Sequence, residues 1–124
     1  MQKISIELVP RDHETLKQEM QLVQNNFPNI DIINIPDLLK FPLRSWDACI
    51  QAKEFFVHTI PHLRAIDFDL SQPFPLVEKF RENGIDSVLV IAGDQPQDMS
   101  RRVFRTTSVE LIRALKTQMP ELKV

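Results

Sequence analysis

A chain of 124 residues has the length of one ordinary domain with its own core, and a single domain over residues 1–124 is expected. With 43% hydrophobic and 26% charged residues and a net charge of −2, it has the composition of a soluble globular protein and no electrostatic reason to bind nucleic acid or an anionic membrane. No run approaches the roughly 18 apolar residues of a membrane span.

Taken in chain order, the elements alternate strand and helix four times. Met1 is followed almost at once by a first strand over roughly 3–9, which leaves no room for a leader peptide. Asp12 can cap the helix that follows, in which Leu16, Met20, Val23 and Phe27 recur at helical spacing. The second strand is 31–35, stopped by Pro36. A proline-containing loop leads to Ser45, the predicted N-cap of a helix through about Phe56, with Ala48, Ala52 and Phe55 on one side. The one cysteine, Cys49, lies in this helix among apolar residues and is read as core. With no second cysteine there is no intrachain disulfide, and a reduced, cytoplasmic setting is expected.

The third strand runs from Val57 to Ile66, interrupted or offset at Pro61. Ser71-Gln72-Pro73 is the predicted start of a third helix, with Leu76, Val77 and Phe80 inward and Gly84 just past its end. A fourth strand over about 86–92 is almost continuously apolar, as in a parallel strand buried on both faces. A polar loop holds the basic cluster Arg101, Arg102 and Arg105, read as solvated. Thr107-Ser108-Val109-Glu110 then makes a capping box for a last helix, ended by Pro120. Four βα units with short connections predict an α/β fold of parallel strands.

Several polar residues sit where such folds place chemistry. Glu7 lies between Ile6 and Leu8, so a partly desolvated carboxylate with a raised pKa, suited to a general acid, is expected. Asp94 follows Gly93 at the C-terminal end of the fourth strand, the end at which parallel α/β folds bind ligands. His62 follows Pro61 within the third strand, where a structural role is the commoner outcome. His58 and His62 stand about 13 Å apart along a strand, too far for a metal pair. Asp37 follows the second strand and reads first as a turn residue. There is no glycine-rich phosphate loop, nucleophile elbow or zinc spacing.

Four of these segments, in this order, resemble strand ends of the methylenetetrahydrofolate reductase family. They are Ser5-Ile6-Glu7-Leu8-Val9-Pro10, Ile33-Asn34-Ile35-Pro36-Asp37, Pro61-His62-Leu63 and Gly93-Asp94-Gln95-Pro96. The resemblance runs from about Lys3 to Leu115. It implies the N-terminal half of a flavin-dependent (βα)8 TIM-type barrel, since 124 residues are about half of the roughly 250 that eight units take. It implies FAD as cofactor, NADH or NADPH as electron donor, and a folate substrate reduced from 5,10-methylene- to 5-methyltetrahydrofolate in one-carbon and methionine metabolism. Glu7 would be the general acid and Asp94 the acid beside the flavin pyrimidine. His62, Ile91, Ala92, Gly93 and Asp37 would contact the cofactor.

A half-barrel leaves its inner face and both sheet edges open. Pairing with itself, or with a separate second-half chain, is therefore expected. Two alternatives are a flavodoxin-like regulatory or binding domain, whose doubly wound sheet would have strand order 2-1-3-4, and a non-catalytic barrel fragment that only associates with a partner.

Overall fold

Four short aliphatic runs form strands, and each is followed by a helix, in a computed structural model that describes residues 3–94 and 102–124. The strands are β1 (Ser5–Glu7), β2 (Ile32–Ile35), β3 (His58–Arg64) and β4 (Leu89–Ile91). The helices are α1 (His13–Asn26), α2 (Ser45–Ala52), α3 (Val77–Glu82) and α4 (Ser108–Gln118), and a 3-10 turn, Ala65–Asp67, ends β3. The fold is α/β, with one parallel four-stranded sheet whose hydrogen-bonded order is β1-β2-β3-β4. The chain divides into two units, residues 1–62 and 63–124.

In the first unit the side-chain period of two sorts the strands into faces. Ile33 and Ile35 of β2 are fully buried, with Thr59 of β3 and Leu8 beside them. Leu16, Met20 and Val23 of α1 and Ala48, Cys49 and Ala52 of α2 complete this core. Asp12 caps α1 as expected, its carboxylate accepting the Thr15 N–H at 2.7 Å.

Helix α2 differs at both ends from the expectation. Ser45 is its first helical residue and Arg44 the N-cap. The Ser45 hydroxyl donates instead to the His62 carbonyl at 2.7 Å. The helix stops at Ala52 rather than Phe56, because Glu54 and Phe55 bond carbonyls three residues back and tighten the end into a turn. Strand β3 runs unbroken through Pro61. That proline pairs with Ile35, the last residue of β2, where the ladder ends and a missing donor costs least.

In the second unit Phe68, Phe74 and Phe80 form an aromatic chain, with ring centroids 5.1 and 5.8 Å apart. Leu111, Leu115, Met119 and Leu122 are buried in the same unit. Thr107 and Glu110 form the expected capping box. Gly84 has φ +68, just past α3. That helix begins at Val77, not at Ser71-Gln72-Pro73. Asp69 holds both the N–H and the hydroxyl of Ser71 in a local turn, and the Phe74 N–H donates to the Gln118 side chain. Phe80 is buried, whereas Leu76 and Val77 are only half-buried.

Strand β4 corrects a second expectation. Val88 is buried, but Leu89 and Ile91 stand 46% and 38% exposed. An apolar run is buried on both faces only where both are covered, and no described residue covers the Leu89–Ile91 side. After α4 the chain returns to residues 86–88. Ser87 and Lys123 form a parallel bridge, with Val88 N–H to Lys123 O and Lys123 N–H to Asp86 O both at 2.9 Å.

Candidate functional site

The expected site residues are distributed over both units. In the first, the register sets Glu7 opposite Asn34, and Asn34 opposite Ile60. Alternation therefore puts Ser5, Glu7, Asn34, His58, Ile60 and His62 on one face, while Ile6, Leu8, Ile33, Ile35 and Thr59 take the other. This also explains why Glu7 is not desolvated as expected. Its apolar neighbours Ile6 and Leu8 face away from it, and Glu7 is exposed.

Three polar side chains on this face are linked. The Asn34 amide Nδ2 donates to Ser5 Oγ at 2.8 Å, and Asn34 Oδ1 lies 2.9 Å from His62 Nε2. His62 is only 8% exposed. Burial lowers its pKa below the ordinary imidazole value, and the carboxylates of Glu7 and Asp37 only partly oppose this. This favours the neutral ring. Its main chain is fixed as well, through the Ser45 hydroxyl.

Asp37 is buried, and both its oxygens are engaged within the protein. One accepts the Ser45 N–H at 3.0 Å, at the start of α2, and the other accepts from Arg44 Nη1 at 3.3 Å. Arg44 also donates to the Leu38 and Phe41 carbonyls, tying down the loop between β2 and α2. In this structure Asp37 is therefore a structural anion that satisfies a helix end.

In the second unit the Gly93-Asp94 tip follows β4. Gly93 has φ +94, a backbone conformation that favours glycine. Ile66 N–H bonds Ala92 O at 3.3 Å, and Arg64 Nη2 donates to the Asp94 carbonyl at 2.6 Å. Arg64 also pairs with Asp67 at 3.6 Å, both side chains being almost fully buried. Asp94 itself is exposed, as are Ile91 and Ala92. Gln95, Pro96 and Arg101 lie outside the described residues.

Ser5, Asn34 and Arg64 were not singled out from sequence. Ser5 stands two residues from Glu7, and Arg64 two from His62. Period-two spacing was the available signal for both. Among the described residues no group of His, Cys, Asp and Glu could hold a metal ion. A scan against protein-family models and a search of curated proteins both found no match to this chain.

Proposed function

We propose that this chain is the catalytic half of a methylenetetrahydrofolate reductase-like enzyme. The observation that carries the reading is the segregation of Glu7, Asn34 and His62 onto one sheet face, while Leu8, Ile33 and Ile35 on the opposite face are buried. In a closed barrel the first face lines the interior. An all-parallel sheet of order β1-β2-β3-β4, with helices alternating between its strands, is compatible with the first half of such a barrel.

The residues fit FAD. Leu89 and Ile91 offer exposed apolar surface to a flat ring. Gly93 keeps the tip of β4 free of a side chain, and the exposed Asp94 carboxylate can accept from a ring N–H. When bound and reduced by NADH or NADPH, FAD would supply a hydride to the folate's methylene carbon. Glu7 donates the proton that assists opening of the folate's imidazolidine ring. Asp94 would accept a hydrogen bond from the bound cofactor. His62, held neutral, adds no charge beside the flavin. Ile91, Ala92 and Gly93 would hold the ring. Asp37 acts through the position of the loop it anchors. The reading places the protein in the cytoplasm. It also implies a second half-barrel, from another copy or from a separate chain. Among the described residues no helix is long and apolar enough to cross a membrane.

The test is reductase activity of the flavin-loaded protein with its partner half. Glu7→Gln should abolish folate reduction while NADH or NADPH still bleaches the flavin. Unchanged folate reduction in that variant would remove Glu7 from the chemistry and the reading with it.

A further inference from the structure

We propose that Asn34 is a positioning residue that holds His62 as its Nε2–H tautomer, leaving Nδ1 as the ring's hydrogen-bond acceptor. The inference rests on the reading of His62 as a ligand-contacting residue, but its geometry stands apart from any ligand.

A carboxamide has one accepting oxygen and one donating nitrogen, so fixing either end fixes the other. Asn34 Nδ2 donates to Ser5 Oγ at 2.8 Å. With the amide in this orientation Oδ1 faces His62 Nε2 at 2.9 Å, where it can only accept. In that orientation Nε2 carries the ring proton, and the Ser5 hydroxyl accepts from the amide rather than donating to it. The register makes this chain of bonds available. Asn34 pairs with Glu7 on one side and Ile60 on the other, so Ser5 and His62 are its diagonal neighbours, within reach of a polar side chain.

A neutral imidazole has one N–H, so the lone pair falls to Nδ1. Among the described residues no donor reaches Nδ1, and the second anchor on His62 is on its main chain, from the Ser45 hydroxyl. The arrangement matches the way outer hydrogen bonds select the tautomer of a functional histidine. The ligand chemistry it suits is an N–H or O–H donor. A carbonyl or phosphate oxygen would find no proton at Nδ1.

Two-bond proton–nitrogen correlation on the full chain, labelled with 15N-histidine, reads the tautomer directly without flavin or folate. The His62 signals are assigned by their loss in His62→Gln. At neutral pH His62 should show a protonated Nε2 and an unprotonated Nδ1. Asn34→Leu should move both nitrogens towards the averaged shifts of a tautomer mixture. Asn34→Asp should keep the proton on Nε2. A wild-type Nδ1–H tautomer would mean the amide is reversed and would overturn the inference. So would an unchanged tautomer in folded Asn34→Leu. The wild-type spectrum decides even if Asn34→Leu folds poorly. Because no cofactor is present, failure of flavin binding in a separate titration would count against the proposed function alone.

Discussion

Arg64 passes Gly93 so closely that a β-carbon on the glycine would meet Nε at 2.9 Å, with Arg64 Cβ and Ile66 Cγ1 each at 3.1 Å. The same arginine donates to the carbonyl of Asp94, the next residue. The tip of β4 is thus shaped by a side chain from β3, and the glycine is required twice, for its φ of +94 and for its missing side chain.

Gly93→Ala should therefore destabilise the protein. The strained backbone alone costs about 1–3 kcal/mol, and the contact with Arg64 adds to it. A lowered urea midpoint at unchanged slope is the expected result. A midpoint equal to wild type would mean that the tip relaxes freely.

Asp37→Ala should cost about 1–3 kcal/mol, because it leaves the buried Ser45 N–H without its acceptor and Arg44 without its carboxylate. Asp37→Asn keeps an oxygen for Ser45 and should recover part of the loss. Denaturant unfolding of both variants checks the order. Equal stability of the two would show that the N–H to Oδ1 bond contributes nothing.

His62 makes stability depend on pH in a definite direction. Its folded pKa lies below the ordinary 6.5, with burial the main cause. Below that value the unfolded chain binds a proton that the folded chain resists. The contribution is whole above about pH 6.5 and is lost as pH falls towards the folded pKa. Wild type should lose more stability than His62→Gln between pH 7.5 and pH 5.5, with His13 and His58 common to both. An equal loss would mean that His62 is protonated as readily folded as unfolded.

Cys49 is fully buried, and desolvation raises its thiol pKa. A disulfide exchange reagent should react with it only at the rate of unfolding, and promptly in denaturant. Fast labelling of the native protein would place the thiol at an accessible position.

The alternation of elements, the Asp12 cap, the Thr107–Glu110 box and the Gly84 helix end were legible in the sequence because each depends on residues within one turn of one another. The start of α3 was not, since the bonds from Asp69 to Ser71 and from Phe74 to Gln118 outcompete the proline signal, and the second spans 44 residues. Glu7 was placed on the right strand with the wrong surroundings. Its apolar neighbours in sequence are on the other face. The exposed side of β4 was hidden because an apolar run does not say whether anything covers it. Asn34 was seen as part of a motif, but its bonds to Ser5 and His62 depend on strand register, which no single strand carries.

The most direct test of the central claim is the visible absorption spectrum of the purified chain, recorded with its mass in solution. Oxidised flavin bands are expected on an assembly holding two half-barrels, lost when the halves are separated. A colourless monomer that stays colourless when FAD and a second copy are supplied in excess would contradict it.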